Sequence, residues 1–205
     1  MKRGFTLVEM LVVIGILAVL VGASIAGFSH AADKARNSLC QELVHNTATA
    51  LTKVLQDEDG WPQRILQDAS GSCKLTDEVG GELARRKVLS LTYRETTNDK
   101  DETVYKLVGL DQCGIVSPWA RDVIKRLAAK GAVPLSAKVP SGGTIDDHVL
   151  RFAVDDDYDG IVHVNGEGGG AAIRASAAVW CCGKDGKFGT KDDVKSWSKG
   201  QERGK

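Results

Sequence analysis

The sequence predicts an α+β protein, in which a long N-terminal helix packs on a C-terminal domain built around an antiparallel β-sheet. Two observations predict the helix: an almost unbroken apolar stretch over 5–28, and apolar residues at three- and four-residue spacings from there to Val54. A third predicts the sheet, because short strand-like segments over 149–180 are joined by connections rich in Gly and Asp. A chain of 205 residues can hold one domain of ordinary size and an appendage.

The apolar stretch has the length of a membrane span and follows a short basic leader, residues 1–4. As a helix, the segment from Phe5 to Phe28 would extend about 36 Å, enough to cross a hydrocarbon core of about 30 Å. Lys2 and Arg3 should keep the N-terminus in the cytoplasm, so we expect the remainder to be exported. A cleaved secretory signal is the alternative, although the small-residue pattern of its cleavage site is only weakly matched.

One carboxylate, that of Glu9, interrupts the apolar stretch one helical turn after Phe5. A plain membrane anchor has no use for a charge at this position. Because an acidic side chain inside a bilayer is costly and usually has a partner, the pattern predicts that Glu9 has a partner that offsets this cost.

The helix is predicted to continue beyond the apolar stretch as far as about Asp57. Over 29–58 apolar residues recur at three- and four-residue spacings with charged and polar residues between them, which predicts an amphipathic half that packs on a folded domain. The run Asp59-Gly60-Trp61-Pro62 should end the helix, since Gly and Pro both stop helices. Residues 59–205 are then the globular α+β domain.

Within that domain, a short helix is expected over 77–87, a strand over 103–110 and a second helix that begins at Ser117-Pro118 and closes at Gly131. Three more strands are expected over 149–154, 160–164 and 171–180, joined as antiparallel hairpins. The polar tail, residues 198–205, is expected to fray.

Composition excludes some functions. The 27 basic residues balance the 27 acidic ones and form no basic stripe, so nothing points to nucleic acid. The four His residues are dispersed, and neither a zinc-protease pattern nor a nucleophile elbow is present. We therefore predict that the protein is not an enzyme.

The five cysteines are an odd number for a chain that faces an oxidising compartment. A Cys73–Cys113 bridge is one option and a bridge that uses Cys181 or Cys182 is another, because connectivity cannot be deduced from sequence. Neighbouring Cys181 and Cys182 would point to opposite faces of a strand, so at most one of them should face the core.

Two acidic segments could hold a cation. The acidic loop, residues 155–160, has the spacing D-x-D-x-D-G, in which Asp155, Asp157 and Asp159 would converge when the chain curls. The full EF-hand pattern is absent, and a solvated acidic turn without metal is the alternative. The C-terminal loop, residues 183–193, could bring together Asp185, Asp192 and Asp193, whose hard oxygen ligands suit Ca²⁺.

The run Arg3–Ile14 (RGFTLVEMLVVI) resembles the type III signal of type IV pilins and type II secretion pseudopilins. The resemblance implies a pilin-like fold and cleavage between Gly4 and Phe5 by a prepilin peptidase, with N-methylation of the new Phe5 amino group. It also implies that Glu9 meets the N-terminus of a neighbouring subunit. An ion pair between Glu9 and Phe5 of its own chain is the alternative.

The C-terminal loop, followed by Trp197, is similar to the calcium loop of major type II secretion pseudopilins. The resemblance thus implies a structural subunit that polymerises and assists protein export across the outer membrane, with bound Ca²⁺. Its expected partners are further copies of itself, minor pseudopilins, the prepilin peptidase and an inner-membrane assembly platform. The subunit would be single-pass in the inner membrane, with residues 59–205 in the periplasm or on an extracellular filament.

Three features depart from the family pattern, and one of them is a domain longer than that of a typical major pseudopilin. The family often has Pro near the position of Ala26, and the acidic loop at 155–160 is additional. A type IV pilus subunit or adhesin therefore stays an alternative, as does an ectodomain that uses the helix only as a tether.

Overall fold

The computed structural model describes residues 6–70, 74–75, 77–86, 93–97, 103–107, 115–130, 133–164 and 170–203. They fall into two compact units, Met1–Arg36 and Asn37–Lys205. The predicted α+β class is confirmed, because a long N-terminal helix is followed by a domain of antiparallel strands.

The first helix, α1, comprises Leu7–Glu58, which confirms the predicted continuous helix. In the first unit its large apolar side chains are exposed, from Leu7 to Val21. Within the described parts of the chain, no helix is both long enough and apolar enough to cross a membrane. The membrane span predicted over 5–28 remains a prediction.

In the second unit α1 buries one face, as the amphipathic pattern predicts. Its fully buried residues recur at alternating spacings of four and three, which places them in one stripe of the helix: Cys40, Val44, Thr47, Leu51 and Val54. Leu39, which the sequence pattern placed on the buried face, is 48% exposed. The buried face therefore lies one residue further along the helix than predicted at this point.

Three shorter helices follow: α2 (Gln63–Ser70), α3 (Asp77–Arg85) and α4 (Pro118–Ala128). The first of these was not predicted. The start of α4 is confirmed, because Ser117 Oγ accepts a hydrogen bond from the backbone N–H of Trp119 and Pro118 occupies the first helical position.

The described residues contain eight strands: β1 (Tyr93–Thr97), β2 (Thr103–Leu107), β3 (Arg151–Val154), β4 (Ile161–Val164), β5 (Ala171–Arg174), β6 (Ala177–Cys181), β7 (Val194–Lys195) and β8 (Glu202–Arg203). Strands β1 and β2 form a hairpin of their own. The other strands form two antiparallel sheets with the orders β3-β6-β7 and β4-β5-β8.

Three predictions about these strands are wrong. The strand expected over 171–180 is two strands, β5 and β6, which belong to different sheets, and β3 pairs with β6 rather than with β4. The tail is not frayed over Glu202–Arg203, because these residues pair with β5.

The acidic loop explains the break between the sheets. Strand β3 pairs with β6 as far as Val154↔Ala177, and β4 pairs with β5 from Ile161↔Arg174. The connection from β3 to β4 has six residues, whereas the connection from β5 to β6 has two. The longer connection cannot stay in register with the shorter one, so the acidic loop bulges out of the sheet between the two pairs of strands.

The first sheet is covered on both faces. Alternate residues of β6 point in opposite directions, so Val179 and Cys181 join the main core, which includes α1, while Ala178 and Trp180 join a smaller cluster. In that cluster the Trp180 and Trp197 rings meet edge to face with their centroids 6.0 Å apart.

Candidate functional site

The N-terminal site has a carboxylate that is bonded to its own chain. Glu9 Oε2 accepts hydrogen bonds from the backbone N–H and from the hydroxyl of Thr6, each at 2.9 Å. The Glu9 N–H in turn donates to Thr6 Oγ1 at 3.3 Å. This reciprocal arrangement is a capping box at the helix start. The predicted processing residues, Gly4 and Phe5, lie outside the described residues.

The acidic loop brings its predicted ligands together. Asp155, Asp157 and Asp159 each offer a carboxylate oxygen, and these oxygens lie within 4.8 Å of one another; among the described residues they form the one such acidic group of three. The backbone N–H groups of Asp159 and Gly160 donate to the Asp155 carboxylate at 3.1 and 2.8 Å and hold the loop curled around it.

The carboxylates of the acidic loop are crowded. Asp155 is only 6% exposed, and this burial raises its pKa above the ordinary value. The N–H donors of Gly160 and Asp159 act in the opposite direction, but the neighbouring Asp157 and Asp159 raise the pKa further. A divalent cation would relieve this repulsion, and three convergent hard oxygens fit Ca²⁺.

The acidic loop is attached to the end of α1 by two aromatic residues. Trp61 Nε1 donates to the backbone carbonyl of Asp155 at 2.7 Å, and the Trp61 backbone N–H donates to the hydroxyl of Tyr158 at 2.9 Å. Tyr158 adopts a left-handed backbone conformation with φ of 61°, which is uncommon for a bulky residue. Trp61, which follows the end of the first helix, therefore holds the backbone of Asp155, one of the three candidate ligands.

In the C-terminal loop the predicted ligands bind the backbone of the loop itself. Asp192 Oδ2 accepts from the N–H groups of Lys184 and Asp185 at 2.7 and 3.1 Å. Asp193 Oδ2 accepts from the Gly189 N–H at 2.8 Å, and Asp185 Oδ1 accepts from Lys187. These oxygens are chemically suited to Ca²⁺, but the three carboxylates do not form a cluster like that of the acidic loop.

The pKa values of two of these carboxyls move in opposite directions. Burial alone would raise the pKa of Asp192, but the Thr190 hydroxyl and the N–H groups of Asp185 and Lys184 outweigh it, so the pKa falls. For Asp193 burial is the stronger effect and the pKa rises, despite hydrogen bonds from Gly189 and Thr190. Asp192 is therefore the carboxylate that the folded loop stabilises in its charged form.

The C-terminal loop rests on a second loop, residues 139–148, at a backbone-to-backbone contact. A Cβ atom on Gly142 would lie 2.1 Å from the Asp185 carbonyl oxygen, so only glycine fits there. His148 connects the two loops. Its Nε2 lies 2.9 Å from the Gly142 carbonyl oxygen, and its Nδ1 lies 3.4 Å from Cys182 Sγ. His148 is fully buried, and this burial lowers its pKa.

The structure shows how three of the five cysteines are used. Cys40 and Cys181 form a disulfide, and Cys182 is a buried free thiol. Both side chains are fully buried, but only Cys181 joins the main core, as expected for neighbouring residues that point in opposite directions. Cys182 is buried beside His148 instead. Cys73 and Cys113 lie outside the described residues.

Sequence reasoning missed three residues of these sites: Thr6, Trp61 as a ligand-positioning residue, and Tyr158. A local signal existed for the first one, because Thr6-x-x-Glu9 has the spacing of a capping box. The link between Trp61 and Tyr158 joins positions 97 residues apart and has no local signature.

Comparison with known proteins adds one finding at the N-terminus. Residues 1–25 match the family model described as the prokaryotic N-terminal methylation motif. No curated protein and no solved structure matches the chain. The chain therefore carries at residues 1–25 the signal of type IV pilins and pseudopilins, which implies a structural subunit, processing by a prepilin peptidase and filament assembly.

Proposed function

We propose that this chain is a structural subunit of a type II secretion pseudopilus, which polymerises through α1 and assists protein export across the outer membrane. The observation that carries the proposal is the methylation motif over 1–25, followed by a long helix with a single early carboxylate. The α+β domain after the helix supports a subunit whose globular part forms the outer shell of a fibre.

The N-terminal residues suggest how assembly proceeds. Before processing, residues 5–28 anchor the subunit in the inner membrane with the second unit in the periplasm. Cleavage after Gly4 removes Lys2 and Arg3 and leaves a single α-amino group on Phe5. When an assembly platform adds the subunit, Glu9 exchanges its hydrogen bonds with Thr6 for the amino group of an adjoining copy. Two opposite charges then meet in apolar surroundings, which offsets much of their desolvation cost.

The intact mass and the N-terminal residue of protein purified from its native membrane test this proposal. We expect a chain that begins at Phe5 and carries one additional methyl group. A mature chain that retains residues 1–4, or one trimmed near Ala26, would replace the filament subunit with a tethered or exported domain. Binding of a ligand by the isolated second unit would instead favour an adhesin.

We further propose that Ca²⁺ stabilises the subunit, with the acidic loop as its first site. Asp155, Asp157 and Asp159 would hold the ion, which supplies a divalent charge to three crowded carboxylates. The resemblance implies a second site at Asp185, Asp192 and Asp193. There the ion would have to compete with N–H groups that the same carboxylates already bind.

Thermal unfolding with Ca²⁺ and with EDTA tests the metal. At a Ca²⁺ concentration a hundredfold above Kd, stabilisation of about 2.7 kcal/mol should raise Tm by about 5–10 °C. Asp157→Asn should abolish most of this rise in Tm, because it removes one of the converging charges. The matched control, Asp156→Asn, changes the neighbouring exposed carboxylate outside the cluster and should keep the shift.

The outcomes separate the two loops. If Asp185→Asn removes the shift and Asp157→Asn does not, the ion binds the C-terminal loop. A Tm that is the same in Ca²⁺ and EDTA for the wild-type chain would remove the metal from the proposal altogether.

A further inference from the structure

The Cys40–Cys181 disulfide joins two elements that are far apart in the chain. It connects α1 to β6 across a sequence separation of 141 residues, and both side chains are fully buried. Strand β6 leads directly into the C-terminal loop, and Cys181 pairs with Val194 of β7, on the other side of that loop. The bond thus ties the helix to both ends of the C-terminal loop.

A surface groove of about 510 Å³ lies at the same place. One wall is formed by residues of α1 that recur every four positions: Asn37, Gln41 and His45. The other wall is formed by residues 191–195 and Trp197. Cys40 lies on the helical turn between Asn37 and Gln41, so the disulfide joins the two elements that supply the walls.

We infer that the Cys40–Cys181 bond is closed in an oxidative maturation step after export, and that its closure holds the groove and the C-terminal loop in place. The timing rests on the proposed function, in which the second unit crosses the inner membrane. Because Cys40 and Cys181 both follow the apolar stretch 5–28, the proposed topology places both of them on the oxidising side, where a disulfide can form and persist.

The chemistry requires a disulfide-bearing thiol oxidant of that compartment. One cysteine thiolate attacks the oxidant's disulfide, which forms a mixed disulfide and releases one oxidant thiol. The second cysteine thiolate then attacks the mixed disulfide, forms the Cys40–Cys181 bond and expels the other oxidant thiol. The two cysteines lose two electrons and two protons in total, and the oxidant gains them as a dithiol.

The neighbouring Cys182 is a competitor that the fold excludes. Its side chain is fully buried against His148 Nδ1, and burial raises the pKa of its thiol to about 12. Since the thiolate is the nucleophile in disulfide exchange, Cys182 in the folded domain does not attack the bond beside it. The finished bond is therefore protected from rearrangement.

The full processed chain can be compared in its oxidised form, after reduction, and after re-oxidation with oxidised glutathione. Reduction should increase hydrogen exchange at least about tenfold in peptides that cover residues 37–45 and 191–197, and should lower Tm by about 10 °C. Re-oxidation should reverse both changes. Cys40→Ser should resemble the reduced chain whether or not oxidant is present.

Cys182→Ser is the matched control, since it changes the adjacent thiol and should leave the response to reductant intact. If Cys40→Ser does not fold, reduction of the folded wild-type chain still tests the inference. Unchanged exchange in both peptides after reduction would overturn the role of the bond. A chain that is processed at Phe5 in cells but retains free Cys40 and Cys181 thiols would overturn the maturation step and leave the proposed filament function standing.

Discussion

A Glu9→Leu subunit is expected to form at least about a hundredfold fewer filaments than the wild-type chain. In the proposed fibre the substitution leaves the amino group of an adjoining copy buried without its partner, and a buried charge without a partner is strongly destabilising. The measurement is the amount of sheared filament relative to total processed subunit. Normalising to processed subunit separates assembly from cleavage between Gly4 and Phe5.

The capping box with Thr6 offers a competing explanation, because Glu9→Leu also removes the acceptor of two hydrogen bonds at the helix start. Glu9→Gln separates the two roles. Glutamine can take the same place in a capping box but carries no charge. If the charge pair drives assembly, Glu9→Gln should fail almost as completely as Glu9→Leu. Normal assembly of Glu9→Gln would assign Glu9 to helix capping and contradict the pairing with a neighbouring amine.

The first helix is predictable because its signals are local. The apolar stretch, the helical spacing and the Gly-Trp-Pro stop set the limits of α1 to within a residue or two of Leu7–Glu58. The buried face was harder to place, since three- and four-residue spacings fit two stripes one position apart. Thr47 belongs to the true stripe, where its hydroxyl donates to the Leu43 carbonyl at 2.8 Å, and so a polar residue is accommodated in the core.

The sheet is less predictable because its pairing is non-local. No Gly or Pro lies between β5 and β6, so residues 171–180 resemble one strand. The break arises between β3 and β4, where the acidic loop has more residues than the connection from β5 to β6. Strand β8 has only two residues, and its pairing with β5 depends on contacts that no local pattern reveals.

The two acidic loops show what residue spacing can establish about a site. Alternation of Asp with a following Gly was enough to predict that Asp155, Asp157 and Asp159 converge, because the curl is local. For the C-terminal loop, spacing could not show whether the carboxylates face an ion or the backbone. In the structure Asp192 and Asp193 accept from N–H groups of their own loop.

The C-terminal loop provides the second large prediction, because its first glycine leaves no room for a side chain. Gly183 has a φ of 62°, and a Cβ atom there would lie 2.2 Å from the carbonyl oxygen of Asp192. Gly183→Ala should therefore force the loop apart and cost about 3 kcal/mol or more, which corresponds to a fall in Tm of about 6–12 °C. Thermal unfolding of the processed chain measures this change.

Gly189→Ala is the matched control in the same loop. Gly189 also has a left-handed φ, 82°, but nothing lies within 4 Å of its would-be Cβ atom. The control should therefore cost only the backbone strain, about 1–2 kcal/mol, and the difference between the two variants measures the contact of Gly183 with Asp192. Equal losses would mean that backbone strain alone matters and that the two ends of the loop are not in close contact. A larger loss for Gly183→Ala, together with faster hydrogen exchange confined to residues 183–193, would establish that the close approach of Gly183 to Asp192 contributes to holding the loop closed.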